Sequence, residues 1–194
     1  VTGLSAIHAA TILSVVLGFA SVALSWRLLE RDIRAYTLFA AYIFAGPFSV
    51  WFTTFYTEIL FLLLTLAVLT ALRSRNFLLA GSLAALLSAT RIIGCLIVFA
   101  IVIEIWRAHR QAGGTWRDFV PATLKRPGLV LAVLIAPLGL FAYVLYLHLH
   151  IGDGLAFSHV QRAWGRPTGL PPVFVWNALT AFPTNGTWWP TAWM

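Results

Sequence analysis

An all-α, polytopic transmembrane protein with short or broken helices is the fold class that this amino-acid sequence predicts. Of 194 residues, 60% are apolar and only 10% charged, with a mean hydropathy of +0.88; soluble domains carry roughly 25% charge. The apolar residues gather in runs of about 20, enough to cross a roughly 30 Å hydrocarbon core at 1.5 Å per residue. Arginines bracket those runs. Inside lipid a helix satisfies its own backbone, so an apolar run of this length is read as helix.

The expected spans cover about 7–26, 36–52, 56–72, 77–90, 92–106 and 129–147, in a single transmembrane domain over 1–194 with an outer loop at 148–194. Ile7 to Trp26 has His8 as its one titratable group and crosses unaided. Arg27, Arg31 and Arg34 follow, interleaved with Glu30 and Asp32, and predict a short solvated helical connector on the cytoplasmic side. Tyr36 to Leu72 would reach roughly 55 Å as one helix, so it turns back. Gly46-Pro47 supplies the break, because proline removes a donor and clashes with the preceding turn. Ser49 to Tyr56, a polar-aromatic stretch holding Trp51 and Tyr56, reads as an interfacial tip. Arg73 and Arg75 return the chain to the basic side.

Phe77 to Trp106 is either one long tilted helix or two arms meeting at Thr90-Arg91. Arginines at both ends favour the hairpin, since one crossing would put either Arg73 and Arg75 or Arg107 and Arg110 on the wrong face. Each arm is then about 20 Å long, and Arg91 lies in a thinned or protein-lined pocket below the outer surface. Arg107 to Arg126, with Gly113-Gly114 and Pro121, reads as an amphipathic cytoplasmic linker. Leu129 to Leu147 is a further span kinked at Pro137 and Gly139. On this topology ten of the thirteen basic residues are cytoplasmic, and Arg91, Arg162 and Arg166 face out.

That distribution also accounts for the formal net charge of +7. The basic residues stand in short clusters beside apolar spans, where a membrane protein keeps its cytoplasmic positives, which argues against a nucleic-acid partner. A single cysteine, Cys95, excludes an internal disulfide and packs as a small hydrophobe. The first apolar run lacks a basic leader and a small-residue cleavage site. A start at Val1 without methionine, and an aromatic end, read as a fragment of a longer polytopic protein.

Arg91 is the leading site candidate. A guanidinium at the centre of a lipid-facing helix costs roughly 2.5 to 3.5 kcal/mol on insertion scales, so it requires a partner or water. The outer face collects Tyr56-Thr57-Glu58, Thr90-Arg91 and the loop from Gly152 to Arg166. Arginine suits phosphate through two parallel charge-assisted hydrogen bonds, and Gln161 and Trp164 are types that bind sugars by an amide and a stacking face. The plainer readings are an ion pair between Glu58 and Arg91, headgroup anchoring by Arg162 and Arg166, and a turn at Asp153. His148, His150 and His159 follow a helix, where H-x-H spacing does not put two rings on one face, so no metal is expected. Asn185-Gly-Thr is a formal glycosylation sequon, and Glu104 with Arg107 reads as an interfacial helical pair.

Three stretches carry a resemblance. They are Gly46-Pro47-Phe48-Ser49-Val50-Trp51-Phe52 leading to Tyr56-Thr57-Glu58-Ile59-Leu60-Phe61-Leu62, then Gly81 to Leu86 leading to Thr90-Arg91-Ile92-Ile93-Gly94, then Ala156-Phe157 leading to Gln161-Arg162-Ala163-Trp164-Gly165-Arg166. In their order and separation the chain resembles the PIG-V-like family, which includes the GPI mannosyltransferase II enzymes and bacterial relatives among the GT-C membrane glycosyltransferases. Thr57 stands where the family usually has serine.

The resemblance implies a GT-C-like fold in a bacterial cytoplasmic membrane. It also implies transfer of a sugar, mannose in the family, from a polyprenyl-phosphate donor to an unidentified acceptor at the extracytoplasmic face, without a cofactor. Arg91 then holds the phosphate, Glu58, Tyr56 and Thr90 flank it, and Gln161, Trp164 and Arg166 close the pocket. The family's acidic base lies in a first outer loop, which would precede Val1, so the catalytic base is unassigned. The rival expectations are a transporter or flippase of a lipid-linked or anionic solute, with broken helices at mid-bilayer, and a non-catalytic membrane subunit.

Overall fold

Large apolar side chains stand exposed along most helices of this chain, while small residues share the buried positions with aliphatics such as Ile43, Ile59, Leu87 and Ile101. The structure is a computed structural model that describes residues 5–47, 49–54, 56–160, 173, 176 and 180, and among these it is all-helical. The chain forms two compact units, Val1–Ala142 and Tyr143–Met194, where the sequence reading has a single domain over 1–194.

In the first unit, α1 (Ala6–Leu28) begins where the Ser5 hydroxyl accepts the His8 N–H. Its buried positions are Ser14, Gly18, Ser21, Val22 and Ser25, a small-residue stripe at helical spacing. Ile7, Leu13, Val16 and Phe19 are more than half exposed. Water would drive the large side chains inward; in lipid, where a Leu gains nothing by leaving the tails, close packing of small faces drives association instead.

The connector after α1 is not helical as expected. Glu30 and Arg31 take φ of 56° and 63°, a left-handed turn closed by Arg31 N–H to Trp26 O at 3.1 Å and Asp32 N–H to Leu29 O at 2.9 Å. Asp32 then caps α2 (Ile33–Ala45), its Oδ1 accepting Arg34 N–H at 2.8 Å and Ala35 N–H at 3.2 Å. The helix stops at Ala45, short of the expected 52, because Gly46 ahead of Pro47 is pushed to an extended ψ of 167° by the proline ring. A five-residue helix, α3 (Ser49–Thr53), fills the tip.

α4 (Glu58–Arg73) and α5 (Phe77–Thr90) form a tight antiparallel hairpin turned by Arg75 at φ 58° and capped by Asn76. A 3-10 segment, Ile92–Leu96, leads into α6 (Ile97–Gln111). Arg75 Nη2 donates to Gln111 Oε1. A single crossing from Arg75 to Gln111 would separate them by about 50 Å, so α5 and α6 are the two arms of a hairpin with Arg91 at its tip.

α7 (Phe119–Leu124) lies in the linker, and α8 (Pro127–Ile135) with α9 (Leu138–Ile151) makes a helix bent by 42° at the expected kink. The bend has a specific cause. Ser88 Oγ of α5 enters the break, 2.9 Å from both Ala85 O and Ala136 O, and accepts Leu140 N–H at 3.2 Å. It replaces the bond that Leu140 N–H would make to Ala136 O in a straight helix. Glycines allow this approach: a Cβ on Gly139 would fall 1.7 Å from Ala85 O, and one on Gly81 2.4 Å from Ala132 O.

Among the described residues, α1 and Ile92–Gln111 are long and apolar enough to cross a membrane, and the bent α8–α9 pair makes a third; α2 and α5 are apolar but shorter. In the second unit Gly152 ends α9 at φ +78°, Tyr143 stacks on Phe157 at 5.9 Å, and the short α10 (Ala156–His159) follows.

Candidate functional site

The α4–α5 hairpin has two ends of different chemistry. At one, Arg73 and Arg75 tie together the ends of α1, α4 and α6. At the other stand Glu58, the first residue of α4, and Arg91, directly after α5. Each charge complements its helix dipole, an anion at an N-terminus and a cation at a C-terminus. Arg91 Nη2 donates to Glu58 Oε1.

The Thr-Arg-x-x-Gly spacing has a local reason. Arg91 is extended at φ −153°, ψ 143°, its carbonyl accepts the Gly94 N–H at 2.9 Å, and the chain doubles back over the last turn of α5. A Cβ on Gly94 would meet Leu87 O at 2.5 Å, so only glycine permits the fold-back. Thr90 uses its hydroxyl on Leu87 O at 2.7 Å and thereby closes the helix end. Tyr56 packs edge-on against Trp51 at 4.6 Å, immediately before α4.

The pair is asymmetric. The Arg91 side chain is 43% exposed and that of Glu58 22%, while Glu58 Oε2 is buried with no hydrogen-bond partner among the described residues. An unsatisfied buried acceptor costs about 1–3 kcal/mol, and more when charged. Arg91 has five donors in a planar fork, several of them beyond what Glu58 Oε1 can take. The arrangement can therefore hold an anion on the exposed part of Arg91 while Glu58 fixes the guanidinium from the buried side. It is also sunk: Gly18 lies opposite Ile59, and the 12 residues of α1 before Gly18 rise about 18 Å beyond that level.

Of the expected site residues, Glu58 and Arg91 are in contact and Tyr56 and Thr90 adjoin them in sequence. Gln161, Trp164 and Arg166 lie outside the described residues. Two features escaped the sequence reading. Ser88, three residues before Arg91, anchors the arm to the α8–α9 break, and a lone serine in an apolar helix gives no hint of its partner. Asp153 does make the expected turn, accepting Leu155 N–H at 3.0 Å, but it also pairs with His159 Nδ1 at 2.7 Å. That hydrogen bond from His159 holds the Asp153 carboxyl below its usual value.

No family model, curated protein or solved structure matches the chain.

Proposed function

We propose that the chain belongs to a multi-pass membrane glycosyltransferase that moves a sugar, mannose by its resemblance to PIG-V-like enzymes, from a polyprenyl-phosphate donor to an acceptor at the extracytoplasmic face of a bacterial membrane. The observation that carries this reading is the Glu58–Arg91 pair at a helix break, with guanidinium donors left accessible and one carboxylate oxygen left unsatisfied. In the reaction an acceptor hydroxyl loses its proton to a base and attacks the anomeric carbon. The bond from that carbon to the phosphate oxygen breaks, and the electron pair departs with the polyprenyl phosphate. Arg91 stabilises the charge that grows on the leaving phosphate, and Glu58 fixes the guanidinium. The basic end, with Arg27, Arg73 and Arg107, is cytoplasmic by the positive-inside rule.

The test is sugar transfer by the full-length parent protein in membranes, supplied with radiolabelled polyprenyl-phosphate mannose. Arg91→Ala at matched folded yield is expected to lower transfer by about 100-fold or more. Unchanged transfer would reduce Arg91 to a structural charge. A second reading, movement of a lipid-linked or anionic solute past Arg91, draws support from the two broken helices at Arg91 and Pro137. Protein-dependent flipping of the donor in vesicles without sugar transfer would favour it.

A further inference from the structure

At the end of the first unit away from Arg91, a groove of about 480 Å³ opens between α1, α4 and α6. Leu28, Leu66, Leu69 and Ile103 are among its walls, and every lining residue is apolar except Arg73 and Glu104. Leu69 and Ile103 are 37% and 55% exposed, so the described residues leave this face uncovered. Its size falls within the range of roughly 300–1,000 Å³ that accommodates small molecules.

The two charges are fixed. Arg73 donates to Arg27 O at 3.1 Å and Leu28 O at 2.8 Å, the last carbonyls of α1, and to Glu30 at 3.0 Å. Glu104 Oε1 accepts from Arg107 Nη1 at 2.7 Å. A rigid cation and a rigid anion thus stand at one apolar groove, at the end where arginines mark the headgroup boundary.

We propose that this groove binds one glycerophospholipid with a phosphoethanolamine headgroup. An acyl chain lies along Leu66, Leu69 and Ile103, the phosphate accepts hydrogen bonds from Arg73, and the ammonium donates to Glu104. The complementarity selects against the other common headgroups. A choline carries its positive charge without an N–H to donate, and a phosphoglycerol offers no cation, which leaves its phosphate facing Glu104. The inference rests on the lipid setting of these helices and not on sugar transfer at Arg91, so either reading can fail without the other.

Native mass spectrometry of the purified chain in detergent tests it, with equimolar phosphatidylethanolamine, phosphatidylglycerol and phosphatidylcholine of identical acyl chains. Phosphatidylethanolamine adducts are expected to exceed each competitor by roughly fivefold, the weight of one exposed charge pair. Glu104→Gln should erase the preference over phosphatidylcholine. Leu69→Trp, which fills the groove from an exposed position, should reduce all three adducts while thermal melting stays near that of the parent. Equal retention of the three lipids, a preference for phosphatidylglycerol, or an ethanolamine preference that survives Glu104→Gln would overturn it.

Discussion

Arg73 and Arg91 occupy opposite ends of one helical hairpin, and each meets a glutamate, yet the two arginines are used differently. Arg73 places three of its five donors on Arg27 O, Leu28 O and Glu30, a set that closes the C-terminus of α1 and neutralises the helix dipole there. Among the described residues Arg91 has Glu58 Oε1 as its one ion-pair partner, and the other oxygen of that carboxylate is buried without a bond. The first arrangement satisfies the helix end it closes from within the protein. The second leaves part of the guanidinium exposed, which is where the proposed phosphate would bind.

The contrast is sharpest in paired lysine substitutions. Arg91→Lys keeps the charge but loses the planar fork, and transfer should fall by about tenfold or more; Arg73→Lys, assayed beside it, should leave transfer per folded molecule unchanged. Equal losses at both positions would dissolve the distinction. Glu58→Gln keeps an acceptor for Arg91 and removes the negative charge. Transfer should drop several-fold, toward the tenfold that one charged hydrogen bond represents, with folded yield maintained. A fall in yield with normal specific transfer would make the pair structural.

A smaller and opposite effect is expected of Arg73→Ala. Its readout is a thermal midpoint lowered by the loss of about 1 kcal/mol, the scale of an exposed cap and ion pair, with transfer per folded molecule intact. The least effect concerns the linker, remote from both arginines. The Thr115 hydroxyl holds the Asp118 carboxyl down at about 2, below its ordinary 3.8. A depressed acid adds stability above its unfolded value, and that stability is lost as pH falls through the folded value. Trp116 fluorescence should therefore stay constant down to about pH 4 and change between there and about pH 2. Asp118→Asn should remove the transition and leave both arginine phenotypes untouched.

Much of this architecture was readable from the residues because lipid imposes few solutions. Arginine clusters at 73–75 and 107–110 require a hairpin, and Gly46-Pro47 requires a break; both are present. The Glu58–Arg91 contact followed from the need to satisfy a charge in an apolar run. What could not be read is pairwise backbone geometry. The left-handed turn at Glu30 and Arg31 has no glycine to announce it, and helical periodicity extended naturally through it. Three features of the α5 packing, Gly81 against Ala132, Gly139 against Ala85, and Ser88 in the α8–α9 break, depend on which helices meet. No spacing within one helix encodes that choice.

The serine in that break has a mechanical consequence. Ser88 Oγ acts as a borrowed backbone group, lending a donor to Ala136 O and an acceptor to Leu140 N–H. Ala136 O and Leu140 N–H thus both keep a partner through the bend, and straightening the segment would release it from α5. The arm that ends in Arg91 is thereby tied to the break it leans on, and a backbone motion that carries Arg91 away from it would have to release Ser88 or bend at the Arg91–Gly94 fold-back.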